Sequence, residues 1–328
     1  MFVCKKMLSL LMKKYLLLIV VIVSMISSGC KTSTTAPGSG QSVAFTFHNF
    51  KPNRLGEVYA LWVEIPKSAA PIPVNPLHGL VLSKLVSTFT VTDTGIVGFD
   101  TTGFSNRLGV NFSLMIRAEV SVERKDNISS VPTADFIGGN ISGSYSVGTA
   151  TLTGEDPLAF GTSLPAISGL ATLATLKYTP SNYVGEVYLM NVASDSTKSA
   201  GLINLAVLPS SWQYGIWTVD SISKPPIQTF LGYVVTPDSK DTKSTHDNFN
   251  FPGGLTLDST GRIPLNLTYG ASAVLVSLEP ILSTNDPVIP FPAPVLYGLI
   301  PSAQPPYVTF PLQNIVRVFP SVDMKIAR

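Results

Sequence analysis

The side chains able to do chemistry are few and far apart. His48, His78 and His246 spread over nearly two hundred positions, and the chain has no HExxH, GxxxxGK, GxGxxG, CxxC or GxSxG spacing. A Ser/His/Asp hydrolase needs no sequence adjacency, so it would require one histidine beside a Ser and an Asp in a cleft. His246 and Asp247 lie in the polar stretch 238–250 (DSKDTKSTHDNFN), whose oxygens fit no calcium-loop spacing and read as a solvated loop. Glu123 and Glu279 end two similar segments; a catalytic pair would sit about 5–9 Å apart, whereas equivalent positions of tandem domains lie further apart. They read as strand-end hydrogen-bonding groups. Trp62, Trp212, Trp217, Tyr59, Tyr214 and Tyr233 could form an aromatic platform for sugar, but large aromatics also fill sandwich cores, and the core reading is favoured. No catalytic, metal-binding or cofactor-binding residue is expected, so the chain reads as a non-enzyme.

These residues must be positioned by strands. Charged residues make up only 13% of the 328, against 25 glycines and 26 prolines, which suits short strands and many turns and excludes coiled coils and long-helix bundles. From Asn111 to Val122 alternate residues, starting at Phe112, are apolar, with Ser113, Arg117, Glu119 and Ser121 on the opposite face and Met115 breaking the pattern. Residues 43–47 alternate likewise, and 58–65 (VYALWVEI) is apolar on both faces, as a central strand can be. Further strands are expected at 86–92, 141–152, 173–178, 187–192, 201–208, 213–219, 230–235, 273–278 and 295–300, separated by turns such as Asp93-Thr-Gly95 and Lys224-Pro-Pro226. Strands without intervening helices imply all-β sandwiches.

The segment YALWVE (59–64) echoes YGIWTV (214–219), placing Trp62 and Trp217 155 positions apart. AEVSVE (118–123), followed by Gly138 and Gly139, echoes VLVSLE (274–279), followed by Gly298; Glu123 and Glu279 differ by 156. A competing echo, GEVY at 56–59 and 185–188, has an offset of 129 and matches only one strand. The first register implies an internal duplication with a boundary near 163–169.

The N-terminus reads as an address. Residues 15–26 (YLLLIVVIVSMI) follow Lys13-Lys14; as a helix they would span about 18 Å, short of a ~30 Å hydrocarbon core, so they resemble the apolar region of a secretory signal. Met12 reads as an alternative start. Ser27-Ser28-Gly29-Cys30 resembles the lipobox of bacterial lipoproteins, with Ser27 where the family usually has Leu. That resemblance implies cleavage before Cys30, acylation of its thiol and amine, and, with Lys31 following, an outer-membrane destination. The stretch KTSTTAPGSGQ (31–41) has the composition of a flexible tether. Loss of a leader with four lysines and no acid turns the formal charge of +2 into −2, which carries no footprint for nucleic acid. Nothing after Cys30 is cysteine, so disulfides and cysteine-ligated metals are excluded from the body.

The strand 214–219, then 230–235, then 273–280 closing on Glu-Pro with 285–287 (NDP), then VLYG (295–298), is similar to the C-terminal extracytoplasmic domain of anti-sigma-K factors. The resemblance covers roughly 43–328 as two copies, the second matching better, and implies an immunoglobulin-like fold in an envelope setting. It does not imply sigma-factor regulation, since no cytoplasmic segment or second apolar span is present.

The expected organisation is therefore a signal peptide (1–29), a lipidated Cys30 with a flexible linker (30–42), and two tandem immunoglobulin-like β-sandwich domains (43–165 and 166–328). The expected role is a lipid-anchored envelope interaction or structural module with an unidentified protein or glycan partner, or alternatively a carbohydrate-binding envelope lipoprotein.

Overall fold

A computed structural model describes residues 33–35, 42–67, 81–101, 114–144, 147–175, 184–221, 226–243, 249–256, 267–269, 272–282 and 286–327. The leader, Cys30, His78 and His246 lie outside the described residues. The chain is all-β and its strand ladders are antiparallel. The first half contributes β1 (Ser33–Thr35), β2 (Ser42–His48), β3 (Glu57–Pro66), β4 (Val81–Thr92), β5 (Gly95–Val97), β6 (Arg117–Arg124), β7 (Ala134–Asn140), β8 (Ser142–Ser144) and β9 (Val147–Leu152). The second contributes β10 (Ser168–Thr175), β11 (Val184–Tyr188), β12 (Met190–Val192), β13 (Lys198–Ala200), β14 (Leu202–Ile203), β15 (Trp212–Asp220), β16 (Ile227–Tyr233), β17 (Gly253–Leu255), β18 (Ser272–Pro280), β19 (Pro294–Leu299), β20 (Thr309–Asn314) and β21 (Ser321–Ala327).

Alternation sets the layers. Val43, Phe45 and Phe47 of β2 point one way and meet the opposing sheet, where Phe47 lies 5.1 Å from Phe89 of β4, ring centre to ring centre. The order β5-β4-β3-β6-β7 faces β1-β2-β21-β9-β8, which makes the first unit a sandwich. In the second unit the order β16-β15-β18-β19-β20-β10-β11-β17 runs as one hydrogen-bonded sheet, with β14 also on β10.

The two units share one plan. β4-β3-β6-β7 corresponds to β16-β15-β18-β19, and the ladders keep the same register: Tyr59 faces Val122 and Tyr214 faces Leu278. Bulges fall at matching places, before Trp62 and before Trp217 on one side, and before Ser121 and before Ser277 on the other. Gly139 opposite Ala118 matches Gly298 opposite Val274. The competing echo fails in three dimensions, because Gly185–Tyr188 lies in β11, which occupies the place of β2 rather than β3.

β10 follows β9 across a 3-10 turn as β21 follows β20, so each ends one repeat, and each completes the unit of the other. In the second unit β10 stands between β20 and β11; in the first the corresponding slot, between β9 and β2, is filled by the C-terminal β21. The expected boundary at 165/166 runs just ahead of β10, yet residues 321–327 pair on the far side of it. The physical reason is plain in the alternation of Val322, Met324 and Ile326, all buried, with Asp323 and Lys325 outward: one apolar face fits the first unit's core. Most buried apolar residues between Val43 and Ile326 form one cluster spanning both units, and Ala174, Tyr188 and Met190 form a second, smaller one.

Three sequence readings need correction. Ser33–Thr35, read as part of a flexible tether, pairs with β2 in the register Ser33 to Thr46, because the outer edge of β2 offers open backbone groups. Of the strand expected up to Val122, residues 111–113 lie outside the described residues and the described part begins at Arg117; Leu114 is exposed and Met115 is buried, the reverse of the alternation. The opposite face of that strand is not solvated, since Arg117, Glu119, Ser121 and Glu123 are all buried. Among the described residues there is no helix long and apolar enough to cross a membrane.

Candidate functional site

The bulges turn Trp62 and Trp217 onto the outer faces of their sheets, where each meets a serine and a glutamate from the neighbouring strand. The Trp62 indole N–H donates to Ser121 Oγ at 2.8 Å, and Ser121 donates to Glu123. The Trp217 indole donates directly to Glu279 Oε1 at 3.2 Å, and Ser277 donates to the same oxygen. Each glutamate then grips the chain entering the next strand. Glu123 accepts from the Thr133 amide at 2.7 Å and its hydroxyl at 2.6 Å; Glu279 accepts from the Phe291 amide at 3.1 Å. The two carboxylates are thus loop anchors, each with its oxygens committed to structural donors, and each in its own unit.

Glu279 also carries the contact between units. Arg54, in the loop ahead of β3, places Nη1 2.6 Å from Glu279 Oε2, donates to Glu57, and lies with its guanidinium 5.5 Å from the Phe291 ring centre. Burial pushes the Glu279 carboxyl above its ordinary range, with Arg54, Ser277 and the Phe291 amide pulling it back. Burial acts against the Arg54 charge, but Glu57 and Glu279 outweigh it and hold that pKa above the ordinary value. Around this pair the seam is aromatic: Trp212 donates its indole N–H to the Asp135 carbonyl at 2.9 Å and stacks on Phe136 at 5.7 Å, with Phe291 5.3 Å from Phe136. The Tyr59 hydroxyl is buried against this seam with no hydrogen-bond partner among the described residues; burial, then the Glu57 charge, drives its pKa far up, so it stays a neutral phenol.

The aromatic residues weighed as a sugar platform are therefore placed otherwise. Trp62, Trp212, Trp217, Tyr59 and Tyr214 are all at most 4% exposed, and only Tyr233 is half-buried at the surface, its phenol pushed up to about 12 by burial and by Glu279. These five rings cannot meet a ligand in the folded chain.

His48 lies on the outer face of the swapped sheet, its Nε2 3.1 Å from Asp323 Oδ2, while the Thr151 hydroxyl donates to the other oxygen of Asp323 at 3.0 Å. The carboxylate stands between the histidine and the hydroxyl. A nucleophile–base relay requires the imidazole in the middle, so this trio does not have the hydrolase geometry. His78 and His246 lie outside the described residues, as does most of the polar stretch around His246. Among the described residues no cluster of three His, Cys, Asp or Glu side chains is placed to hold a metal ion.

Two features were not legible in the sequence. Arg117 is buried with Glu119 at 2.7 Å, Asp156 at 2.7 Å and Glu64 at 3.8 Å, whereas the matching positions of the second unit are Ala273, Leu275 and Val219. A cleft of about 260 Å³ opens where the two crossing connections meet, with Asn49, Glu155, Gly161, Arg317 and Pro320 among its lining residues. Exposed charges of both signs, Glu155 and Arg317, border this concave surface, which is built from both crossings. No family model, curated protein or solved structure matches the chain.

Proposed function

We propose that the chain is a non-enzymatic, lipid-anchored protein of the bacterial cell envelope, acting as an interaction or structural module on the outer membrane. The observation that carries this reading is the apolar leader ending at Ser27-Ser28-Gly29-Cys30, followed by a body without further cysteine. Acyl chains on Cys30 would hold the protein at about 0.8 kcal/mol per buried CH₂. The engagement of Glu123, Glu279 and the tryptophans in packing and strand-end anchoring supports a structural rather than a catalytic use of the body. The order β4-β3-β6-β7, repeated as β16-β15-β18-β19 in antiparallel ladders, supports the immunoglobulin-like reading and the likeness to the anti-sigma-K extracytoplasmic domain.

The test is membrane fractionation of cells expressing the full chain and its Cys30→Ala variant. The variant is expected in the soluble fraction and the parent in the membrane fraction with an acylated N-terminal cysteine by mass spectrometry. A variant that still sediments with membrane overturns the anchor.

A further inference from the structure

We infer that β21 is an exchangeable strand and that the partner it fits is a second copy of this chain, whose slot between β2 and β9 it can fill in place of its own. This inference is independent of the envelope anchor. The observation behind it is the reciprocal crossing: β10, which follows β9 across a 3-10 turn, pairs with β20 and completes the second unit, and β21, which follows β20 in the same way, pairs with β9 and completes the first. Strand exchange between like units is thus already the way this fold closes within one chain, and the same contacts can close between two chains without any new surface.

The slot is specific for this strand. β21 pairs along β2 from Ser42 opposite Ala327 to His48 opposite Ser321, and along β9 from Val147 opposite Ala327 to Leu152 opposite Val322. Val322, Met324 and Ile326 fill the core side beside Phe45, Phe47 and Leu152. Asp323 ties the outer side to both neighbours, through His48 and Thr151. With β21 withdrawn, β2 and β9 would each present an unpaired edge over an open core, the arrangement that recruits a strand in trans. Only residues 315–320 join β20 to β21, and they hold a 3-10 turn (Val316–Val318) and Pro320. A connection this short sets the balance between closing on the same chain and closing on a neighbour.

The experiment uses the full chain with Cys4 and Cys30 replaced by Ser and one new pair, Ala44→Cys and Lys325→Cys, on directly opposed residues of β2 and β21. Opposed antiparallel residues have Cα atoms about 4.5–5.5 Å apart, within disulfide reach. Deleting residues 317–320 should convert the chain to a species of twice the monomer mass whose disulfide joins two chains. A dimer whose disulfide stays within each chain, or a monomer with a protease-sensitive C-terminus, overturns the inference. If the deletion abolishes folding, two differently tagged chains with the native connection are mixed, incubated just below the unfolding midpoint at high concentration, cooled and oxidised. A hetero-tagged disulfide supports exchange, and its absence overturns it.

Discussion

Arg54 and Glu279, 225 residues apart in the chain, form a 2.6 Å ion pair that joins the loop ahead of β3 to the end of β18. Glu279 is 1% exposed, so its charge has little water to fall back on. Removing the cation should therefore cost more than removing both partners. Arg54→Ala is expected to destabilise by about 3–5 kcal/mol, and Arg54→Met combined with Glu279→Gln by distinctly less. Urea unfolding of Arg54→Ala, of Arg54→Met and Glu279→Gln singly, and of the double variant checks this; a double-variant loss equal to the sum of the Arg54→Met and Glu279→Gln losses would show that the pair is not coupled.

The two Trp–Ser–Glu arrangements differ in one bond, and that difference predicts unequal mutants. Ser121 Oγ accepts from the Trp62 indole N–H, whereas Trp217 reaches Glu279 without its serine. Ser121→Ala should strand the buried Trp62 N–H and remove a donor from Glu123, costing about 2–3 kcal/mol, while Ser277→Ala removes only a donor and should cost about 1 kcal/mol. Thermal or chemical denaturation ranks the two.

Much of this plan can be read in the residues, and the parts that cannot have physical causes. The shared Trp and Glu spacing located β3, β6, β15 and β18 in register, and Ser121 and Ser277 sit at the same offset within it, so the hydrogen-bonded trio had a signal. β21 had one too, in the alternation of Val322, Met324 and Ile326. β7 and β20 did not, because Gly138, Gly139 and Pro311 weaken the strand pattern. The burial of Arg117 and Glu119 was hidden because alternation distinguishes the two faces of a strand but does not report what covers the polar one. The crossing was hidden because a strand's periodicity fixes which side is apolar and not which neighbour it pairs with.

Glu279 also predicts a pH dependence. Its carboxyl keeps a proton to higher pH in the folded chain than in the unfolded one, where the ordinary value near 4.5 applies. In the window above that value the unfolded chain binds fewer protons, so this contribution to stability is fully present below about 4.5 and is lost as pH rises from there through the folded pKa. Glu279→Gln should flatten this part of the stability–pH curve measured by denaturant titration. An unchanged slope would assign the dependence to other groups.

Gly139 and Gly298 hold matching ladder positions on β7 and β19, yet they face different obstacles. A Cβ on Gly139 would stand 2.3 Å from the Thr151 carbonyl oxygen, which belongs to the backbone of β9 and cannot rotate away. On Gly298 the nearest atom is Leu312 Cδ2 at 2.5 Å, the end of a side chain that can move, with the Pro311 carbonyl oxygen at 2.9 Å behind it. Because β9 is also one wall of the slot that receives β21, a shift there loosens the C-terminal strand as well. Gly139→Ala is therefore expected to cost about 3 kcal/mol or more and to expose β21 to carboxypeptidase, whereas Gly298→Ala should cost about 1–2 kcal/mol and leave β21 protected. Unfolding curves paired with timed digestion measure both, and equal digestion of the two variants would separate the Gly139 contact from the seating of β21.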